Sequence, residues 1–454
     1  MLRAGAAKAD ITPPVGVDLC GYAGRPGPSV GIHDRLEAQA LVLEAGGWRA
    51  ALQGLPDGVP SGSPERVAIV AADIIGFDGS LVESVRRQVA ERVSLEPGGL
   101  LLAAAHTHSG PSLRCLRGMG EPNAAYLEKL AGILADAVAQ AASNLQEALI
   151  GAGKTEARIS INRRQRTDQG TVLGKDAQKP TDPELALLRI DRAGGGPLAI
   201  LMNYACHAVV LGGDNLLVSA DYPGYARRLL EQRFPGAVVM FTNGACGDIN
   251  PAKMGSFEFA QEQGERLGEA ACALLGGIAT RPAERLWARE AELALPTAPL
   301  PAEQQAAREF ERLQAEVESL EKEGAPSGRI RAARAFRDWA RDVLEAARQG
   351  KKQEPARSVI SAVRVDDMAL VGIPAELFVE IGMEIKRRSP FKSTFVMGYA
   401  GKVVGYIPTR KAFEEGGYEV DTAYKFYGLT PFLPEVHDRT EQTALRLLAS
   451  LREG

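Results

Sequence analysis

Apolar positions follow two alternating spacings through the first two thirds of the chain. Short runs rich in Val, Ile and Leu, bounded by Gly, Pro or polar residues, fall at 40–45, 67–75, 100–105, 198–204 and 237–241, and each predicts a buried strand. Between them, 80–93, 124–144, 222–233 and 257–275 place apolar residues at helical spacing and predict helices with one face on a core. This alternation predicts an α/β fold, a mixed central sheet covered by helices. Residues 300–350 depart from it: Pro301-Ala-Glu-Gln-Gln-Ala-Ala-Arg-Glu-Phe-Glu-Arg continues in Ala, Glu, Arg and Leu and breaks once, at Gly324-Ala-Pro-Ser-Gly328. That predicts a helical hairpin with a charged outer face, an insertion that is structural or that serves as a dimer contact. After it, 358–373 alternates and then turns apolar, as strands returning to the core would, and 439–451 has the spacing of a short amphipathic helix. No internal repeat or low-complexity tract divides the chain, so residues 1–454 read as a single domain with the hairpin inside it.

Composition narrows the class. The chain has 454 residues, 45% hydrophobic and 24% charged, enough to bury a large core. A formal net charge of −4, with no long block of one sign, lacks the basic footprint of a nucleic-acid binder. The first residues carry no apolar stretch or cleavage signature, and no run approaches the roughly 20 apolar residues of a membrane span, so a cytoplasmic location without stable membrane insertion is expected. Five cysteines, Cys20, Cys115, Cys206, Cys246 and Cys272, are scattered without close pairs and read as small buried hydrophobes.

The sharpest chemical signal is Leu100-Leu-Leu-Ala-Ala-Ala-His106-Thr107-His108-Ser-Gly-Pro111, a strand-like run ending in two histidines one residue apart. Side chains at i and i+2 of a strand share a side, so both imidazoles can reach one ion. Zinc accepts such nitrogen ligands at about 2.0–2.1 Å, although two hydrogen-bonded histidines at a strand end fit the motif equally well. His207 favours the metal reading, because it closes Ala199-Ile-Leu-Met-Asn-Tyr-Ala-Cys-His207, and ligands gather at the carboxyl ends of strands in α/β sheets. His33, in Gly31-Ile-His-Asp34, reads as either a support for the site or a structural residue, and His437 has no supporting context. Asp73 and Asp221 are candidates to orient the metal-binding imidazoles by accepting their second N–H. Asp248, after Gly247 in a loop that follows an apolar run, suits an active-site acid and an Asx-turn equally.

Ordered along the chain, Ala7-Lys-Ala-Asp-Ile-Thr-Pro13, Gly21-Tyr22, Gly31-Ile-His33, His106-Thr-His-Ser-Gly-Pro111 and the region of Tyr418 resemble the neutral ceramidases and their shorter bacterial relatives, the neutral/alkaline non-lysosomal ceramidase-like proteins. The resemblance implies a single catalytic domain of the neutral-ceramidase N-terminal type. It also implies a zinc ion bound by three histidines, a glutamate and a tyrosine. The histidines fall on His106, His108 and His207, the glutamate on Glu376 in Pro374-Ala-Glu-Leu-Phe378, and the tyrosine on Tyr406 in Tyr406-Ile-Pro-Thr409. A second tyrosine twelve residues on, facing the substrate carbonyl, falls on Tyr418, and the arginine that faces the substrate falls on Arg163. Read from the residues alone, Glu376 would be a helix N-terminal acid and both tyrosines packing residues.

The chain departs from the family where it reads Asp248-Ile-Asn250-Pro251, because the family has a serine in that stretch; it is also shorter than the ceramidases. A metal-activated water needs no serine, so the expectation is a zinc-dependent hydrolase of an amide bond in an N-acyl, lipid-like substrate. Tyr418 and Arg163 would stabilise the oxyanion, with His108 or Asp248 moving the proton. The alternatives are a zinc esterase or lactonase on the same site, or a non-catalytic relative that assembles as a homo-oligomer through the 300–350 segment.

Overall fold

In the computed structural model, which describes residues 2–45, 66–95 and 97–453, eight strands form the principal sheet. Their spatial order is Val238–Asn243, Pro197–Tyr204, Glu184–Arg192, Gln146–Glu156, Leu2–Asp10, Glu37–Ala45, Arg66–Ala72 and Leu100–Ala104. The outermost pair at each edge is parallel and the inner pairs are antiparallel, giving the mixed sheet that the alternating pattern predicts.

The sheet is weakest in the middle. Leu2–Asp10 meets Gln146–Glu156 through two residue pairs, Arg3 with Glu147 and Ala4 with Gln146, a junction too short to hold the two halves in one plane. The two edges consequently approach each other. The Asn243 side-chain amide donates to the Ala105 carbonyl at 3.3 Å, and residues 398–401 tie both edges: the Gly398 amide donates to Asn243 and the Ala104 amide to Tyr399. Three strand ends, those of Leu100–Ala104, Pro197–Tyr204 and Val238–Asn243, therefore share one rim.

Helices cover the sheet with the faces their spacing indicates. Gly79–Arg92 buries Leu81, Val85 and Val89, and Ala124–Ser143 packs against it. Asp221–Arg233 and Phe257–Leu275 form a second packed pair. Side-chain caps set several starts: Asp78 accepts from the amides of Ser80 and Leu81, Asn123 from Tyr126, and Ser256 from Phe259. The strands Leu2–Asp10 and Gln146–Glu156 escape a reading based on Val, Ile and Leu because they are rich in Ala and Gly. Close packing demands that smallness: a Cβ on Gly5 would lie 2.0 Å from the Ala141 carbonyl oxygen of the helix Ala124–Ser143, and one on Gly151 would lie 2.3 Å from the Ala279 carbonyl oxygen.

A second sheet has the order Leu286–Leu295, Ala356–Val365, Met368–Gly372 and Ser393–Met397. The connection between its first two strands is the hairpin of helices Glu303–Lys322 and Ser327–Arg348. The inner face of the hairpin buries Leu313, Trp339 and Ala340, and its outer face carries ion pairs such as Arg312–Glu309 and Arg334–Glu321. The predicted helical hairpin with a charged exterior is thus present. Each of the five cysteines carries a free thiol, and Cys20, Cys206 and Cys246 are buried. No helix among the described residues is long and apolar enough to cross a membrane.

Candidate metal centre

His106 and His108 stand just past the end of Leu100–Ala104, and His207 just past Pro197–Tyr204, so the meeting of the sheet edges brings all three together. One ring nitrogen from each lies within 4.8 Å of the others. The backbone at His106 takes φ 63°, a left-handed conformation that a residue with a Cβ adopts only when its surroundings enforce it. Two hydrogen bonds help to enforce it: the His106 amide donates to Ile74, and Nδ1 lies 2.5 Å from the Ile75 carbonyl oxygen. A carbonyl only accepts, so Nδ1 carries a proton, and in the neutral imidazole the Nε2 lone pair of His106 faces the cluster. His207 is fixed in the same way, with Nδ1 2.7 Å from the Cys246 carbonyl and 3.0 Å from that of Ile249.

Backbone carbonyls thus orient these two imidazoles, and the assignment of that task to Asp73 and Asp221 is corrected. Asp73 pairs with Arg227 and accepts the Glu37 amide, while Asp221 accepts the amides of Leu211 and Tyr222. His33 stacks on Phe257, with ring centroids 3.9 Å apart, and bonds Asp34; His437 accepts the Arg410 amide. Neither of these two histidines joins the cluster of His106, His108 and His207.

His108 is the most exposed of the three imidazoles. Its Nε2 lies 3.1 Å from Nε2 of His106, and its Nδ1 has no hydrogen-bond partner among the described residues. Nδ1 packs instead against Gly21, whose φ of +96° and lack of a side chain allow the approach; a Cβ there would lie 2.3 Å from it. Tyr22 meets the same ring edge-on at 5.2 Å.

The opposite side of the cluster comes from the second half of the chain. Glu376–Leu377 and Tyr406–Ile407 pair as two-residue parallel strands, with Glu376 directly beside Tyr406. Glu376 Oε2 is 3.2 Å from Nε2 of His207 and 3.4 Å from Nε2 of His106, and it accepts the Tyr399 hydroxyl at 3.4 Å. Its Oε1 accepts the hydroxyl of Tyr427. Tyr406 presents its ring to Tyr418 at 5.8 Å, and the Arg163 guanidinium lies 5.4 Å from the Tyr406 centroid and 6.0 Å from that of Tyr418. Arg163 also reaches Nε2 of His207 at 3.3 Å and Asn250 Oδ1 at 3.4 Å. Asn250, where the family has a serine, is therefore a partner of the arginine.

Asp248 is placed differently from its expected role as a proton carrier. One carboxylate oxygen accepts from the Asn162 side chain at 2.9 Å and the other from the Val379 amide at 2.8 Å, while its backbone carbonyl accepts the Arg163 amide. These bonds commit it to holding the frame.

Electrostatics at the cluster favour neutral imidazoles at His108 and His207 and an ionised Glu376. Burial, followed by the charge of Arg163, lowers His207 to about 4, and burial with the neighbouring histidines holds His108 well below the ordinary range. For Glu376 burial opposes ionisation, but His106 and His207 outweigh it and keep the carboxyl well below its usual value. Burial, reinforced by Glu376, pushes the Tyr406 phenol far up, and burial does the same for Tyr418. Asp248 is raised to about 6, mainly by burial.

The donor set fits a bound cation. Lone pairs on two imidazoles face a carboxylate oxygen at 3.2–3.4 Å, acceptor against acceptor, in a buried space where His106 is 2% and Glu376 3% exposed. Such an arrangement is repulsive unless a proton or a cation sits between them. Neutral nitrogens with a carboxylate and a phenol suit zinc-like ions.

Three residues here have no counterpart among the sequence candidates. Tyr399 stacks on His106 with centroids 3.8 Å apart, Tyr427 bonds Glu376, and Glu419 bonds Arg163. The visible signal for Tyr427 and Glu419 is their nearness in sequence to Tyr418, whereas Tyr399 lies in an irregular turn with no pattern to mark it.

A mixed α/β fold here collects imidazoles, a carboxylate and phenols at strand ends, a group that could hold a metal ion. Residues 2–283 match the family described as neutral/alkaline non-lysosomal ceramidase, N-terminal, and the chain belongs to that family. The matched stretch contains the three histidines, Arg163 and Asp248; Glu376, Tyr406 and Tyr418 lie beyond it. The neutral ceramidase of Drosophila pseudoobscura pseudoobscura is 29% identical over 277 residues, covering 56% of this chain and 36% of that protein. That of Pseudomonas aeruginosa is 26% identical over 282 residues, covering 57% and 39%. The matches thus span less than half the length of these curated relatives. The crystal structure of the Pseudomonas aeruginosa neutral ceramidase superposes with a TM-score of 0.73 at 22% identity, covering all of this chain and 74% of that one, and shares its fold.

Proposed function

We propose that this chain is a zinc-dependent hydrolase that cleaves the amide bond of an N-acyl, lipid-like substrate. The observation that carries this reading is the buried meeting of imidazole lone pairs with the Glu376 carboxylate, acceptor against acceptor, beside Tyr406 and Arg163. The relatives named neutral ceramidase support an amide as the bond cleaved.

His106, His108, His207, Glu376 and Tyr406 would hold the ion, which when bound supplies an acidified water and polarises a carbonyl. The remaining chemistry belongs to the chain. Tyr418, its phenol kept protonated by burial, is an O–H donor for the oxyanion that develops on the substrate carbonyl, and Arg163 is the charged donor beside it. His108, whose Nδ1 is buried against Gly21 without a partner among the described residues, would serve as a ligand held by that packing, and no solvent path for a proton leads through it. Asp248 acts by fixing Arg163 and the start of the helix Val379–Arg388.

The test is metal content by plasma mass spectrometry together with hydrolysis of N-acyl sphingoid amides and matched esters. About one zinc per chain with amide turnover is the expected result. Turnover of the esters alone would replace the amidase by an esterase or lactonase. A protein that neither takes up zinc nor turns over any substrate would overturn the reading in favour of a structural relative.

A further inference from the structure

Arg163 stands in an unfavourable place for a cation. Its guanidinium is buried, 3.3 Å from a nitrogen of His207, next to a cluster suited to a positive ion. Something must hold it there against both desolvation and repulsion.

That something is Glu419, which is 4% exposed. Its Oε1 accepts Arg163 Nε at 2.9 Å and its Oε2 accepts Arg164 NH1 at 2.6 Å, so one carboxylate binds two consecutive arginines. In a regular strand consecutive side chains point to opposite faces. Here the register of Ser160–Thr167 against Gly170–Asp176 shifts between Asn162 and Arg164, and the irregularity falls on Arg163. Bulges of this kind re-aim side chains. Arg164 is anchored further by the Gly416 carbonyl at 2.7 Å and by Glu415, which also accepts Lys179. Glu419 is therefore gripped from behind by a fixed arginine and itself grips the one in the site.

The result is a specific allotment of donors on Arg163. Nε is committed to Glu419, NH1 faces His207 and Asn250, and NH2 is buried without a well-formed hydrogen bond among the described residues, with Tyr406 as the remaining polar side chain interacting with the guanidinium. A buried guanidinium nitrogen without an acceptor is costly, and a substrate oxygen would relieve it.

We propose that Glu419 is a positioning residue: by clamping Arg163 to Arg164 it sets the plane of the Arg163 guanidinium and turns NH2, beside Tyr406, toward a substrate oxygen. The inference rests on the function proposed above.

The test compares Glu419→Gln with Glu419→Asp in the full chain. Asp keeps the charge but is one methylene shorter and cannot span both arginines. In each variant kcat for an N-acyl amide should fall, by about a hundredfold for Gln, with KM and zinc content little changed. Crystal structures should show Arg163 turned away from His207. If charge compensation were the only role of Glu419, the Asp variant would keep activity within about twofold of the parent with Arg163 in place, and that result overturns the proposal. Should Glu419→Gln not fold, the Asp variant alone decides. If the parent chain itself shows neither zinc nor turnover, the functional reading has failed separately, and the position of Arg163 in the variant structures still decides whether Glu419 positions it.

Discussion

The two sides of the candidate metal centre are built by different means. His106 and His207 follow directly on regular apolar strands, and each has its Nδ1 tied to a backbone carbonyl. Glu376, Tyr406 and Tyr418 stand on two-residue strands and a four-residue helix, and side chains hold them: Tyr399 and Tyr427 on Glu376, Arg163 between the two tyrosines. The histidine side inherits its geometry from the sheet. The glutamate and tyrosine side owes its geometry to a polar network, and such networks depend on every member being satisfied. Changes on the first side should therefore remove a ligand while leaving the frame intact, whereas changes on the second should disturb several groups together.

The largest effect should come from His106→Ala or His207→Ala: loss of bound zinc and turnover at background, with a melting temperature of the apo chain close to the parent. Zinc retained in both variants would show that the histidine side does not hold the metal. Glu376→Ala should weaken zinc by at least about 10–100-fold and, unlike the histidine changes, should also lower apo stability, because Tyr399 and Tyr427 lose their acceptor. Equal apo stability in all three variants would dissolve the contrast between the two sides. Gly21→Ala adds a Cβ 2.3 Å from His108 Nδ1 at a φ of +96°, so it should cost about 1–2 kcal/mol in chemical denaturation and reduce zinc affinity less than Glu376→Ala does. The smallest effect is one of pH. Asp221 is fully buried, lacks an ion pair among the described residues, and is raised by burial to about 7. A folded-state value above the unfolded one means that its contribution is complete below about 3.8 and is lost as pH rises through about 7. Between pH 5 and 8 the melting temperature of Asp221→Asn should therefore fall less than that of the parent; identical slopes would remove Asp221 from the account.

The same contrast explains what could be read from the chain beforehand. His106, His108 and His207 were visible because a strand of Val, Ile, Leu and Ala ending in histidine is a pattern confined to neighbouring residues. Glu376, Tyr406 and Tyr418 were reached through family resemblance, since a two-residue strand leaves no periodicity to detect. The orienting groups escape a sequence reading for a different reason. Asp73 and Asp221 are the residue types expected to hold imidazoles, but the carbonyls of Ile75, Cys246 and Ile249 do so, and every residue carries a carbonyl. The central strands Leu2–Asp10 and Gln146–Glu156 were hidden by their Ala and Gly content, which reflects tight packing rather than weak strand character.

The pairing of Glu376 with Tyr406 also has a consequence in time. During synthesis at about 5–20 residues per second, the roughly 300 residues between His108 and Tyr406 take about 15 to 60 s to emerge. Throughout that interval the histidines exist without the carboxylate and phenol that would complete their set. Under the proposed function a nascent chain would offer an ion only partial coordination, and full coordination would follow release of the last third of the protein, which would make metal loading one of the final events of its maturation.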